Sequence, residues 1–336
     1  MDDNKILMKA AILETHQSPL KVLELERPSV GDHQVLVRLK ASGTNPLDVK
    51  ISSGNAPHAK VELPAILGID LAGAVESVGT LVPNFKPGDE VFGMTGGVGN
   101  IPGSLAEYAV VDPDLIAVKP SNFTMKEAAA TPLVFITAWE GLVDRAKIHA
   151  GQKVLIHGGA GGVGHMAVQI AKAFGATVFA TVSEKHQQTV EALGAIAINY
   201  KKETVEQYVN ASTNGEGFDI VYDTVGGTTL DNSFQAVKKY TGHVVSCLGW
   251  GTHSLAPLSF RAATYSGVFT LLPLLTGIGR AHHGEILREA TKLAEEGKLK
   301  VLVDHRNFSL QTIDEAHSLL KSGRNMGKVV VTIFPN

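Results

Sequence analysis

The residues of this chain best suited to chemistry are a run of glycines. Gly159-Ala160-Gly161-Gly162-Val163-Gly164 fits the spacing G-x-G-x-x-G. Alone, that spacing is a weak signal, and its surroundings strengthen it. Upstream, Val154, Leu155 and Ile156 make the short branched apolar run of a buried parallel strand. Downstream, Val163, Ala167, Ile170 and Ala171 share one helical face, and Gly175 is a stop signal. Strand, glycine turn and helix in that order make a dinucleotide site. Gly159 is expected to allow the tight turn, Gly161 to admit a pyrophosphate, and Gly164 to let helix pack on strand. The helix N-terminus then offers free N–H groups and a partial positive charge to the phosphates.

The elements that must position this turn follow from the pattern on either side. Residues 1–125 read as short strands punctuated by glycine and proline, near Leu7–Leu13, Val22–Leu25, Gln34–Lys40, Ile69–Val78, Glu90–Gly93 and Ala106–Val111. Thr124 and Glu127 have capping-box spacing, and a long helix is expected from there to about Ala146. Strands near 153–158, 177–182, 195–200, 218–224 and 243–248 then alternate with helices near 162–174, 184–193, 203–210 and 229–238. That alternation predicts an α/β fold with a doubly wound parallel sheet over 126–269. A further strand is expected near Val268–Leu272. The tail reads as helix Glu285–Glu296, strand Lys300–Val303, helix Ile313–Lys321 and strand Lys328–Ile333, and 270–336 is expected to return to the first domain.

Composition removes several function classes. The chain has 336 residues, 44% hydrophobic and 19% charged, with a net charge of −3. Two domains are the natural expectation at this length. The slight acidity leaves no footprint for nucleic acid or an anionic membrane. Cys247 is the single cysteine, so an intramolecular disulfide and a Cys-rich zinc site are excluded. The first residues, MDDNKILMKAA, lack a basic stretch followed by a long apolar one. A soluble, cytoplasmic protein is expected.

Ordered motifs carry a resemblance. SGTNPLDVKISSG (42–54), LGIDLAGAVESVG (67–79), FKPGDEVFG (85–93), GSLAEYAVV (103–111) and AAATPLVFITAWEGL (128–142) precede the glycine turn, FDIVYDTVGG and the terminal GKVVV. The chain resembles the medium-chain dehydrogenase/reductase superfamily, in its zinc-free quinone oxidoreductase branch related to zeta-crystallin. The resemblance implies a GroES-like β-rich catalytic domain joined to a Rossmann domain, and a homodimer paired through an edge at Gly267–Leu272. Zinc-dependent members carry a Cys within the stretch matching Ser42–Asn45 and a His–Glu pair at Ile69-Asp70; this chain has neither. The implied reaction is hydride transfer from NADPH to a quinone or an α,β-unsaturated carbonyl. An enoyl-thioester reductase and a non-enzymatic NADPH-binding protein are the alternatives.

For the cofactor, the strand ending at Val182 lacks the acidic residue that accepts from a ribose 2′-OH. Ser183 and Lys185, or His186, are placed to hold a 2′-phosphate. Glu184 on the 2′-OH of NADH, or an ordinary helix start capped by Ser183, are the competing readings. Gly226 and Gly249 follow the fourth and fifth strands, at the carboxyl edge where a cofactor lies. The resemblance adds Tyr200 near the adenosine, and Asn325 and Lys328 in a tail motif approaching the cofactor. It also places Asn45 at the substrate, its amide donating to the acceptor oxygen, and Thr137 on a helix facing the nicotinamide, the alternative for Thr137 being a simple buried helix residue. Asp48, three residues after Asn45, is placed to orient Asn45 or to cap the helix 47–52, with a catalytic acid role the lesser reading. No metal ligands are expected. Met94, Trp250 and the apolar stretch 268–278 are candidates for a substrate wall.

Overall fold

Val35, Val37 and Leu39 alternate along one strand and fill the same core as Leu71, Val75, Val91 and Ile116. That two-residue period is what a half-buried antiparallel sheet requires. In the computed structural model, which describes residues 6–334, the chain divides into two compact units. One runs to Leu133 and resumes at Leu271; the other is Val134–Thr270.

The first unit holds two antiparallel sheets. The smaller orders Lys21–Glu26, Leu7–Leu13 and Ala65–Ile66. The larger orders Val330–Thr332, Val35–Gly43, Asp70–Val78, Glu90–Met94 and Ile116–Val118, with Tyr108–Val111 also on Val35–Gly43. Its register places Val330 opposite Gly43, Gly43 opposite Asp70, and Asp70 opposite Met94. Four segments far apart in sequence therefore meet in one row.

The second unit is a six-stranded parallel sheet in the order Ile196–Asn199, Thr177–Val182, Lys153–His157, Ile220–Asp223, His243–Ser246, Thr264–Gly267. The first strand in sequence lies inside the sheet and the order reverses beside it, as in a doubly wound Rossmann fold. Val154, Leu155 and Ile156 have no exposed surface, as expected for strands covered on both faces.

Several expected elements differ from those observed. The long helix from Thr124 is two helices, Met125–Ala129 and Pro132–Trp139, followed by a π-helical turn Glu140–Arg145. The Thr124–Glu127 capping box is present. Pro132 causes the break: it disfavours helical backbone in the residue before it and suits a helix start. The strand expected near Val268–Leu272 lies earlier, at Thr264–Gly267, and Leu272–Thr276 is a short helix with Pro273 in its first turn. The strand expected at Lys300–Val303 is reduced to one bridge, Val303 with Lys328. Asp304 curtails it by accepting the backbone N–H groups of Arg306 (3.0 Å) and Met326 (2.8 Å), which turns the chain. No helix among the described residues is long and apolar enough to cross a membrane.

Candidate active site

The glycine turn is built as a phosphate cradle. Lys153–His157 ends at Gly158, which takes the positive φ of +69°. The tight turn therefore belongs to Gly158, one residue before the glycine to which sequence spacing assigned it. Gly159 meets a different need, since a Cβ there would stand 2.6 Å from the Ala180 methyl of the neighbouring strand. A Cβ on Gly164 would lie 2.1 Å from the Gly158 carbonyl oxygen, so the helix Gly162–Ala173 reaches the turn only without a side chain there. At Gly161 a Cβ would meet one atom, the Gly158 oxygen at 3.1 Å, and open space otherwise. The N–H groups of Gly162, Val163 and Gly164 begin the helix without intrahelical acceptors. Ala160 lies in the same turn. These residues fit a dinucleotide pyrophosphate.

Side chains lace the strand ends around this turn. Thr181 Oγ1 accepts from Gly158 N–H at 3.2 Å, and Thr224 Oγ1 donates to the His157 carbonyl at 2.6 Å. Burial pushes the His157 imidazole down to about 4 and keeps it neutral. Asp223, fully buried at the end of the fourth strand, accepts N–H groups from Val225 (3.1 Å) and Gly226 (2.9 Å) and the Ser246 hydroxyl (2.7 Å). Gly226 takes φ +81°. A Cβ on Gly249 would stand 2.3 Å from the Tyr265 hydroxyl. Asp223 was missed as a site-building residue, although an Asp ending an apolar strand just before two glycines is a visible signal.

The second strand's end carries the residues on which the cofactor alternatives turn. Ser183 precedes a 3₁₀ turn, Glu184–His186, but its hydroxyl makes no capping bond there. Lys185 is exposed. Glu184 is engaged elsewhere, in an ion pair with Lys202 at 3.1 Å. Tyr200 is 55% exposed just beyond the third strand. Thr137 is buried in the same unit, its hydroxyl 3.0 Å from that of Thr270, which in turn donates to Glu140 at 3.0 Å. The Tyr222 hydroxyl donates to the Thr137 carbonyl at 2.6 Å. Trp250, half exposed, packs edge-on against Phe269.

In the other unit, sheet pairing assembles a buried charged cluster. Asn45 follows strand Val35–Gly43 and caps helix Pro46–Ser52. Its backbone N–H donates to Asp48 Oδ2 at 2.7 Å, the reciprocal bond of a capping box on that helix. The Asn45 side chain donates from Nδ2 to Asp70 Oδ2 at 3.0 Å, and its Oδ1 accepts from Lys328 Nζ. Lys328 also donates to the Thr44 carbonyl at 3.0 Å and lies 3.6 Å from Asp70 Oδ2. Asp70 Oδ1 accepts from Leu133 N–H at 2.8 Å. Asn45 and Asp70 have no exposed surface, and Lys328 is 6% exposed. Burial pushes the Asp48 carboxyl up to about 7, aided by the charge of Asp70. Burial likewise raises Asp70 and lowers Lys328, each opposed by the other's charge. The ammonium of Lys328 is thus turned inward, to Thr44, Asn45 and Asp70. Asn325 stabilises the turn before it, donating to the Gly327 carbonyl at 2.7 Å. Met94, at the end of its strand, is fully buried.

A zinc ion does not fit these residues. The stretches that carry ligands in zinc-dependent enzymes hold Ser42, Asn45 and Asp70 here, with an ammonium among them. Among the described residues, no three His, Cys, Asp or Glu side chains are grouped to hold a metal.

Comparisons with known proteins agree with this architecture. Residues 31–121 match the alcohol dehydrogenase GroES-like domain, and residues 193–331 match a family described as zinc-binding dehydrogenase. A 2-methylene-furan-3-one reductase of Solanum lycopersicum is 37% identical, over 96% of this chain and 78% of its own. An NADPH-dependent alkenal/one oxidoreductase, chloroplastic, of Arabidopsis thaliana is 35% identical, over 94% and 77%. Among solved structures, an alcohol dehydrogenase superfamily protein from Novosphingobium aromaticivorans superposes with TM-score 0.96 and 54% identity, covering 97% of this chain and all of that one. The quinone oxidoreductase from Coxiella burnetii gives TM-score 0.82 and 32% identity, over 98% of this chain and all of its own. With a GroES-like unit, a doubly wound nucleotide unit and relatives aligned along nearly its whole length, the chain belongs to the medium-chain dehydrogenase/reductase superfamily, in its quinone oxidoreductase-like branch.

Proposed function

We propose that this protein is an NADPH-dependent oxidoreductase that transfers hydride to a quinone or to the β-carbon of an α,β-unsaturated carbonyl. The observation that carries the reading is the buried Asn45–Asp70–Lys328 cluster, an amide and two opposite charges in the stretches where zinc-dependent relatives hold metal ligands. Alcohol oxidation needs strong stabilisation of an alkoxide, which a metal supplies. An electron-poor acceptor needs less, and a positioned amide N–H suffices to stabilise charge developing on its oxygen. The Solanum and Arabidopsis relatives, by their names, reduce such acceptors.

The residues Gly159–Gly164, with Gly226 and Gly249, would hold the cofactor, which supplies the hydride when bound. Ser183 and Lys185 would take the 2′-phosphate and Tyr200 the adenosine, while Glu184 forms an exposed ion pair with Lys202. Asn45 would polarise the acceptor oxygen, with its backbone held by Asp48, and Thr137 would face the nicotinamide. In enone reduction the β-carbon gains the hydride, the oxygen takes up the resulting enolate charge, and water protonates the α-carbon. Asn325 supports the tail turn that carries Lys328. The protein acts in the cytoplasm as a homodimer, pairing along the outer edge of Thr264–Gly267.

The test is NADPH oxidation followed at 340 nm over quinones, 2-alkenals and enoyl thioesters, repeated with NADH. Turnover of quinones or 2-alkenals, favouring NADPH by about tenfold or more, supports the proposal. Turnover confined to enoyl thioesters replaces the substrate class, and tight NADPH binding without any turnover removes the enzyme reading.

A further inference from the structure

We propose that Lys328 and Asp70 are positioning residues that hold the Asn45 carboxamide in a single orientation. This rests on the reductase reading above and gives Lys328 a different task from the cofactor contact expected of it.

The two ends of a carboxamide are nearly the same shape and differ only in what they offer, two N–H donors or a carbonyl acceptor. At Asn45 each end meets a partner of matching sign. The Lys328 ammonium donates to Oδ1, and the Asp70 carboxylate accepts from Nδ2 at 3.0 Å. A flipped amide would set NH₂ against the ammonium and oxygen against the carboxylate, two repulsive contacts in a site without water screening. Both holders are themselves held. Lys328 also donates to the Thr44 carbonyl at 3.0 Å, and Asp70 accepts the Leu133 N–H at 2.8 Å. The strand register does the same for the backbone, since the N–H and hydroxyl of Thr44 both donate to the Val329 carbonyl, at 2.9 and 2.8 Å.

One donor of the amide is loosely committed. The second Nδ2 hydrogen has the Gly43 carbonyl at 3.5 Å, the outer limit of a hydrogen bond. Asn45 has no exposed surface, so an acceptor oxygen that takes this hydrogen must displace covering atoms as well as the long Gly43 contact. The hydrogen is available only while Oδ1 stays on Lys328, which is why the lysine affects chemistry without touching the substrate. The same geometry explains why the chain needs Asn rather than Asp at position 45: a carboxylate there would face Asp70 across the bond now made by Nδ2–H.

The experiment compares wild type, Lys328→Met, Lys328→Arg and the double variant Asp70→Asn/Lys328→Met. The double variant removes both buried charges together and keeps a folded protein in hand if either single change does not fold. We expect kcat for a 2-alkenal to fall about 10- to 100-fold in Lys328→Met and to stay depressed in the folded double variant. The NADPH dissociation constant, read by cofactor fluorescence, should stay within about twofold of wild type, and Lys328→Arg should recover part of kcat. A folded double variant with wild-type kcat overturns the proposal, because charge balance alone would then have been the role of the pair. So does NADPH binding weakened by about tenfold or more in Lys328→Met, the signature of a cofactor contact. The binding arm needs no turnover, so a wild-type protein inactive on every acceptor would remove the reductase reading while the cofactor-contact alternative is still judged.

Discussion

The glycine turn of the nucleotide unit and the Asn45 cluster of the other unit are opposite solutions to preparing a buried polar site. The turn is made of backbone. Its six residues are contiguous, its donors are main-chain N–H groups, and its shape follows from the side chains it lacks. The cluster is made of side chains. Asn45, Asp70 and Lys328 come from three distant segments, carry opposite charges, and meet only because Val330 pairs with Gly43 and Gly43 with Asp70. A backbone site tolerates most surface changes and fails when atoms are added. A charged cluster tolerates changes of size better than a change in its balance of charge.

Adding atoms to the turn should give the largest effect. Gly164→Val places a branched side chain where even a Cβ would lie 2.1 Å from the Gly158 oxygen, and backbone cannot yield as a flexible side chain can. We expect the variant to fail to fold or to lose NADPH binding by about 100-fold or more, measured by fluorescence titration and thermal unfolding. Gly161→Ala, with open space around its Cβ apart from one atom at 3.1 Å, should fold and lose affinity alone. Equal damage from both would mean that the turn is uniformly packed and not open on one side.

The same contrast explains what could be read from the sequence. Glycine spacing, strand run and helix face lie within one short window, so the turn and the doubly wound sheet were legible at once. The turn's positive φ belongs to Gly158, because Gly159 is occupied in passing Ala180, and the sixth strand of the sheet lies at Thr264–Gly267 instead of 268–272. The cluster was visible only as separate candidates. Asn45 and Asp48, three residues apart, have the spacing of the capping bond that joins them. The resemblance directs Lys328 toward the cofactor, and no local pattern announces that strand pairing carries a tail lysine to Asn45. The long helix expected after Thr124 is two helices for a different reason: the apolar run is continuous, but Pro132 interrupts its backbone.

Charge balance in the cluster gives the next effect. Removing one partner of a buried ion pair costs about 3–5 kcal/mol, whereas replacing both is often nearly neutral. Asp70→Asn and Lys328→Met should each lower unfolding free energy by about that amount, and the double variant should recover most of the loss. Denaturant unfolding of the four proteins gives the coupling directly. Strictly additive losses would show that Asn45 and Thr44 hold the lysine and that the carboxylate contributes little.

Asp48 allows a finer test of the same balance. Its carboxyl is raised to about 7 by burial, with the charge of Asp70 adding to the rise and that of Lys328 opposing it, while in the unfolded chain it titrates near the usual carboxylate value. The folded protein therefore holds a proton that the unfolded chain gives up. Its contribution to stability is present in acid and is lost as pH rises through about 7, with a slope of at most about 1.4 kcal/mol per pH unit. Asp48→Asn keeps an oxygen for the Asn45 N–H and removes the titration. Its stability should vary less than wild type between about pH 5 and 8, with the difference growing toward the alkaline end. Parallel curves would place the proton elsewhere in the cluster.

The smallest expected effect returns to the nucleotide unit and to the two side chains proposed to meet the 2′-phosphate. Ser183 begins the 3₁₀ turn without capping it, so removing its hydroxyl breaks no observed hydrogen bond. Lys185 is exposed, and Glu184 is drawn to Lys202. Ser183→Ala and Lys185→Ala should therefore leave thermal stability unchanged. Each should weaken NADPH by about tenfold, the worth of one charge-assisted hydrogen bond, and leave NADH nearly unaffected. The ratio of the two dissociation constants is the informative quantity, because a general disturbance of the loop weakens both cofactors together. If NADH instead binds better than NADPH in wild type, Glu184 must leave Lys202 for the ribose, and Lys202→Ala would then strengthen NADH further. That outcome would also narrow the contrast between the units, since discrimination in the nucleotide unit would then depend, as the Asn45 cluster does, on which cation a carboxylate meets.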